Sequence, residues 1–415
     1  MRSAIITIGT ELTEGRVADT NTAFMAGALE RFGLRVAVAL TVPDNDAAIS
    51  KGLNYVLDRE VNLVVIAGGL GPTEDDLTAP AVAKALELET ESNPEAAEMI
   101  AHAVGGTTEA LKPHQAKQGV LPAGSTPISP SGTAPGFIVM HGEIPIICFP
   151  GVPWELEAMW EDALAKPRVA AVAAVVAAAN APGRLQLYLY GCGEPAVAEA
   201  VKTFLGKEPG GIEISICARY REVLLEAAFQ PESVERAEAL MAFIRDSLGE
   251  YIYSQGEEIV EVIAGELIRR GKTLAVGESC TGGMLGAAIT SISGASRFFR
   301  GGVTAYDNEV KMAVLRVRRQ TLDIVGAVSE AVAQQLALGA RESCGADYGI
   351  GITGIAGPSG GTEEKPVGLV YICVSSEDGD LVQGFNFPGG RDEVRLGAVT
   401  ASLHMLFRKL QNDPE

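Results

Sequence analysis

The sequence predicts an α/β protein in three parts. Residues 1–168 read as an α/β domain, 169–255 as a connector with a small α+β module, and 256–415 as a second α/β domain. Three observations predict this. Short β-rich runs alternate with helix-length amphipathic segments at both ends of the chain. Asn62-Leu63-Val64-Val65-Ile66-Ala67 is continuously apolar, as expected of a strand covered on both faces. Glycine-rich turns follow such strands in both end domains, where parallel sheets open a crevice for ligands.

In the first domain, Ala4 to Ile8 is a β-rich run that ends at Gly9. A helix begins at about Asp19, whose side chain suits an N-cap, and stops near Gly33. Arg35 to Val42 reads as a strand and Asn45 to Arg59 as a helix. Repeated βα units of this kind imply a parallel sheet with helices on both faces. The Ala/Val-rich connector Pro167 to Pro182 reads equally as helix or strand. The module after it offers strands at Leu185–Leu189, Ile212–Cys217 and Glu222–Ala228, with helices near Ala196–Phe204 and Val234–Leu248. It concentrates no polar signature and reads as structural.

The last domain opens with an amphipathic helix in which Ile259, Val260, Ile263, Ala264 and Leu267 follow the helical period. Strand Thr273–Val276, a glycine-rich turn, further α/β alternation and a closing helix from about Asp392 to Leu410 follow.

The 415 residues suffice for two to four domains at roughly 100–200 residues each. The net charge of −20 and the absence of any long Lys/Arg cluster argue against a generic nucleic-acid binder, which presents a basic patch to phosphates. The six cysteines form no CxxC pair and several lie in apolar runs, which reads as buried thiols in a cytoplasmic protein. A strand reached by Ile5 leaves no room for a signal peptide, and the longest apolar stretch, Val169 to Ala179, is too short to span a bilayer.

Gly277-Glu278-Ser279-Cys280-Thr281-Gly282-Gly283 follows a strand and opens a helix. A nucleophile there would have helix amides beside it to favour an oxyanion or a phosphate. The same stretch also reads as a tight turn with Ser279 as a simple N-cap. Cys280 is a rival nucleophile, with no histidine near it in sequence to activate it. A serine needs a base, and the only histidine of this domain, His404, sits in the apolar run Leu403 to Phe407 and reads as packing. The alternative base is a lysine of lowered pKa. Gly301-Gly302-Val303-Thr304-Ala305-Tyr306-Asp307-Asn308-Glu309-Val310-Lys311 offers Lys311, with Tyr306 as a proton relay. Read alone, the stretch favours a core tyrosine and a solvated lysine. Ile350-Gly351-Ile352-Thr353-Gly354-Ile355-Ala356-Gly357-Pro358 delivers a hydroxyl to a glycine loop, a substrate contact or a hairpin.

In this order and spacing, the three stretches resemble the C-terminal domain of the CinA family, also found as a stand-alone nicotinamide mononucleotide deamidase. The resemblance covers about residues 256–412. It implies hydrolysis of the nicotinamide carboxamide to nicotinate mononucleotide and ammonia, with no metal or other cofactor. It makes Ser279 the nucleophile and completes the site with Tyr306, Lys311 and Thr353. Thr281, Gly282, Gly283 and Gly354 fall to the substrate, and Arg391, in Pro388-Gly389-Gly390-Arg391-Asp392, to its phosphate. Asp307 stands where many relatives have serine.

In the N-terminal domain, Gly68-Gly69-Leu70-Gly71-Pro72-Thr73-Glu74-Asp75-Asp76 follows the buried strand. It is neither a Walker loop nor GxGxxG. It reads as a glycine turn offering amides to a ligand, with carboxylates able to hold a cation, or as an ordinary βα turn. With Gly9-Thr10-Glu11-Leu12, Asp19-Thr20-Asn21, Gly132-Thr133-Ala134-Pro135-Gly136-Phe137 and Phe149-Pro150-Gly151-Val152-Pro153-Trp154-Glu155, it resembles the molybdopterin-binding-like domain of the same family. That resemblance implies metal-dependent cleavage of ADP-ribose. Thr10, Glu11, Asn21, Gly69 and Gly71 would lie at the substrate and Asp76 at a divalent metal ion. Family members commonly carry GTELLLG and PGPP where this chain has Thr13-Glu14 and Val152.

The resulting expectation is a bifunctional pyridine-nucleotide salvage enzyme, cytoplasmic and homodimeric, with no membrane or direct nucleic-acid partner. Two alternatives stand beside it. One is a nucleotidyl transferase of molybdenum cofactor assembly in the first domain; the other is a non-enzymatic, competence-associated binding protein.

Overall fold

Alternation along the strands explains the first half of the chain. The computed structural model describes residues 1–178, 183–206 and 210–414. Contacts divide the chain into two units, Met1–Pro182 and Gly183–Glu415. In the first unit a six-stranded sheet runs in the order Arg35–Val42, Arg2–Ile8, Leu63–Ala67, Ile144–Phe149, Gly136–His141, Thr126–Ile128. Leu63–Ala67, buried at every residue, is central as its unbroken apolar run requires. Ile6, Val64, Ile66 and Ile146 face a layer containing Ile49, Leu53 and Val56 of helix Asp46–Leu57. Ile5, Val65 and Ile147 face the opposite layer, with Met25 and Leu29 of helix Thr20–Arg31 and Trp160 of helix Pro153–Ala165. Each such side chain contributes about 1.5–3 kcal/mol by leaving water.

Asp19 and Asn45 cap their helices as their side chains allow, accepting from the amides of Thr22 and Ala48. The sheet is not wholly parallel. Its first four strands are parallel, but Gly136–His141 and Thr126–Ile128 add antiparallel. The tight turn at Gly142, φ +58°, makes a hairpin of two adjacent strands, whereas a parallel return needs a crossover. The ambiguous connector is helical over Pro167–Ala178, and residues 179–182 lie outside the described residues.

The second unit begins with a βαββαβ module. Its antiparallel sheet runs Ile212–Arg219, Glu222–Phe229, Gly183–Tyr190, Ile252–Ser254, the strand order of a ferredoxin-like fold. Helices Glu194–Leu205 and Val234–Leu248 cover Leu187, Leu189, Val223 and Leu225 on one face. The five-stranded sheet that follows runs Phe299–Thr304, Leu274–Glu278, Tyr348–Gly354, Leu369–Ser376, Gly379–Asn386, its first three strands parallel and its last two antiparallel. Helices Ile259–Arg270, Met284–Thr290 and Arg391–Asn412 cover one face; Asn308–Leu315 and Glu330–Cys344 cover the other.

His404 is part of this packing. Its ring is buried, stacks on Tyr190 at 3.7 Å between centroids, and places Nε2 2.8 Å from Glu222 Oε1. The Tyr253 hydroxyl donates to the same carboxylate at 2.9 Å. Burial drives the His404 pKa down, against the opposing pull of Glu222. Among the described residues, no helix is long and apolar enough to cross a membrane.

Candidate active sites

Ser279 follows the last residue of Leu274–Glu278, the middle one of the three parallel strands. Its amide donates to the Ile352 carbonyl at 3.0 Å, and the Ala305 amide donates to the Glu278 carbonyl at 2.7 Å. The carboxyl ends of three strands thus bring Ser279, Thr353 and the Ala305–Tyr306 turn to one edge. Ser279 is 9% exposed, and its Oγ makes no hydrogen bond among the described residues.

Ser279 is not the helix cap. The helix starts at Met284, and its N-cap is Gly283, held at φ +96°. Capping falls instead to Glu278. Its buried carboxylate accepts from the amides of Gly283 and Leu285 at 3.1 Å and of Gly286 at 2.8 Å. These helix amides are therefore already satisfied and cannot serve an oxyanion, contrary to the expectation from the sequence. Arg395 Nη2 donates to the Thr281 carbonyl at 2.9 Å and ties the turn to the closing helix. Thr281 is fully buried, and its hydroxyl lacks a partner. Gly282, at φ +64°, lets the chain reverse between Ser279 and the helix.

Lys311, on helix Asn308–Leu315, is only 2% exposed. Its Nζ donates to the backbone carbonyl of Tyr306 at 2.8 Å, not to the phenol. Burial lowers its pKa, while Asp307 and Cys280 pull the other way. Burial also pushes the Cys280 thiol up to about 11, which leaves it protonated at neutral pH and a poor rival to the serine. Asp307 caps the Lys311 helix by accepting from the Glu309 amide at 2.7 Å, a role that serine fills equally well.

The Tyr306 ring is 62% exposed, and its hydroxyl accepts from Arg391 Nη2 at 3.1 Å. Arg391 Nη1 donates to the Gly357 carbonyl at 2.8 Å. One guanidinium therefore joins two loops at the mouth of the site. The Thr353 hydroxyl donates to the Ala327 carbonyl at 2.7 Å, and Lys365 Nζ to the carbonyls of Val325 and Val328 at 2.6 and 2.7 Å. Both fix the loop before helix Glu330–Cys344. Gly354 answers to packing, since a Cβ there would lie 2.6 Å from Val370 Cγ2. Sequence reasoning missed Glu278, Arg395 and Lys365. Glu278 lies six residues before the helix start at Met284, outside the usual capping patterns, and the other two act across distances that no local pattern encodes.

In the first unit, the signature stretches gather at the carboxyl edge of the sheet. Gly68 and Gly69, at φ +114° and +65°, take left-handed conformations after Ala67. A Cβ at Gly68 would lie 2.2 Å from the Ile8 carbonyl, so only glycine lets these strand ends approach. Gly71 lies against the Asp76 carboxylate, which accepts from the Thr73 amide at 2.8 Å and hydroxyl at 2.5 Å. The Thr10 amide donates to Asp44 Oδ2 at 2.6 Å, and Glu11 lies on the short helix Thr10–Thr13. Asp44 was not singled out from the sequence. Asn21 Nδ2 donates to the Gly151 carbonyl at 2.8 Å and so ties the first turn of helix Thr20–Arg31 to the loop after strand Ile144–Phe149. Val152, at φ −73°, holds the backbone angle that a proline would impose.

A divalent ion at Asp76 would not be held by protein side chains alone. Among the described residues, no three His, Cys, Asp or Glu side chains converge on a common point. A cation there would draw one or two ligands from the protein and the rest from substrate phosphate and water, the usual arrangement for magnesium.

Two family models match the chain. Residues 4–171 match the probable molybdopterin binding domain, and residues 256–410 the CinA C-terminal domain. The chain is 38% identical over 414 residues to a CinA-like protein of Citrifermentans bemidjiense, covering 99% of this chain and 98% of that one. A CinA-like protein of Mycobacterium marinum is 34% identical over 424 residues, covering 99% and 98% respectively. A crystal structure of the protein CinA from Thermoplasma acidophilum, described as of unknown function, is 35% identical with a TM-score of 0.38 and covers 41% of this chain and 99% of its own. Fold and matches define a two-domain class in which a molybdopterin-binding-type α/β domain precedes a CinA C-terminal domain. The chain belongs to the CinA family.

Proposed function

We propose that the C-terminal domain is a serine amidohydrolase acting on nicotinamide mononucleotide, and that the N-terminal domain hydrolyses ADP-ribose to AMP and ribose 5-phosphate. The observation that carries the first reading is a desolvated lysine amine at the strand edge that ends in an unengaged serine hydroxyl. Neutral Lys311 takes the proton as Ser279 Oγ bonds to the carboxamide carbon. The oxyanion draws on the amide of Cys280, the residue after the nucleophile. Collapse breaks the C–N bond, Lys311 returns the proton to the leaving nitrogen, and ammonia departs. Water then cleaves the acyl ester and restores the hydroxyl. Arg391 binds the phosphate at the mouth, and Tyr306 orients it.

For the N-terminal domain, the glycine turn offers backbone approach to a pyrophosphate, and Asp76 would hold a divalent cation. When bound, that cation neutralises phosphate charge and makes the leaving phosphate easier to expel.

The test is ammonia release from nicotinamide mononucleotide by the full chain with a chelator present. Turnover is the expected result; none from folded protein overturns the deamidase reading. The pH profile is a further prediction. Lys311 must be neutral to act, so kcat/KM rises with pH through an inflection below the ordinary lysine value of 10.5. Between the lowered value and 10.5 the unfolded chain binds the extra proton, so this residue's contribution to stability also rises with pH there. Lys311→Arg, which keeps its proton, removes the turnover across the whole range. A profile independent of pH from 6 to about 10 excludes lysine as the base.

A further inference from the structure

Trp154 is left in water where a ligand is expected. It is 58% exposed, whereas the chain's other tryptophan, Trp160, is 4% exposed and stacks on Phe149 at 5.5 Å. The other exposed large aromatic of this unit, Tyr55, is covered by the Arg59 guanidinium 3.3 Å from its ring centre. Trp154 has no such cover: among the described residues its ring makes no stacking or cation contact.

The backbone fixes its place. Strand Ile144–Phe149 ends beside Ala67, and the Gly68 amide donates to the Phe149 carbonyl at 3.0 Å. A Cβ on Gly151 would lie 3.2 Å from Gly68 Cα, so the loop bearing Trp154 rests on the glycine turn itself. Pro153 begins the helix and Trp154 follows it. The next side chain, Glu155, lies against Gly132, in the loop before strand Gly136–His141. Val152, two residues before Trp154 and next to Gly151, is exposed as well.

An adenosine pyrophosphate has two unlike ends, and each needs a different surface. The glycine turn suits the pyrophosphate, because it lets backbone amides come close. The base needs a flat apolar face, and an uncovered indole supplies one without regard to hydrogen-bonding pattern. We infer that Trp154 is the stacking platform for the purine base of the nucleotide bound by the N-terminal domain. This rests on the reading of that domain as an adenine-nucleotide site, and it adds the base-binding subsite.

The test is calorimetric titration of the full chain with AMP and with ribose 5-phosphate, magnesium present, for the wild type, Trp154→Phe and Trp154→Ala. The expected result is AMP affinity lowered about 5- to 100-fold by Trp154→Ala and largely kept by Trp154→Phe. Ribose 5-phosphate affinity stays the same in all three, and AMP alone quenches the wild-type indole emission. Because Trp154 is exposed, neither variant should perturb folding. Unchanged AMP affinity in Trp154→Ala, with the wild type binding well, overturns the stacking role alone. No AMP or ADP-ribose binding by the wild type overturns it together with the nucleotide reading of the domain.

Discussion

Ser279→Ala should lower ammonia release from nicotinamide mononucleotide by about 10³-fold or more, since removal of a covalent nucleophile leaves only binding and electrostatic contributions. The loss should fall on kcat, with KM little changed, because the hydroxyl acts in the transition state more than in binding. Stability should stay within roughly 0.5 kcal/mol, since the Oγ holds no hydrogen bond among the described residues. Formation of AMP from ADP-ribose should continue at the wild-type rate, because the serine lies in the other unit. A single preparation assayed for both products therefore carries its own control. Equal ammonia release from variant and wild type would remove Ser279 from the chemistry, and the buried Cys280 could not replace it without being deprotonated first.

The largest expected effect on stability is that of Glu278→Ala. The substitution strips the acceptor from three amides at the start of helix Met284–Thr290 and leaves a void under the turn. Each unsatisfied buried group costs about 1–3 kcal/mol, partly relieved if water enters. A total of about 3–5 kcal/mol is expected, which lowers the melting transition of the second unit by roughly 10 °C. Glu278→Gln should fall between the two, because its carbonyl still accepts while its NH2 group opposes the remaining amides. Deamidase activity should fall in step, since the residue after Glu278 is the proposed nucleophile. Scanning calorimetry decides the matter; an unchanged transition in Glu278→Ala would mean that the helix start is held by something else.

Much of the fold is written locally. Leu63–Ala67 has no polar residue with which to face water, so its central position follows from composition alone. Asp19 and Asn45 announce their helices because a short acceptor side chain satisfies the first free amides. What escaped has a physical reason. The antiparallel hairpin from Gly136 to Phe149 was hidden because its strands are as apolar as the parallel ones, and direction leaves no mark on composition. In the candidate site, the three signature stretches place Ser279, Thr353 and the Ala305–Tyr306 turn at one edge of one sheet, and Lys311 reaches that turn from its helix. Spacing could not say that Lys311 would choose a carbonyl over the phenol, or that Arg395 would reach a turn 114 residues earlier in the chain. Those are choices made by tertiary packing.

The stack of His404 on Tyr190 bears on how this chain would come apart. Kinship draws a line near residue 256, where the match to the CinA C-terminal domain begins. Cohesion does not respect that line. The imidazole belongs to the last helix, while the ring it lies on, the carboxylate it meets and the phenol that shares that carboxylate all belong to the preceding module. A protease that nicked the backbone there would release no free cassette, because the fragments would still be glued through an aromatic seam. The boundary of the family match therefore runs through the inside of one compact unit, Gly183–Glu415.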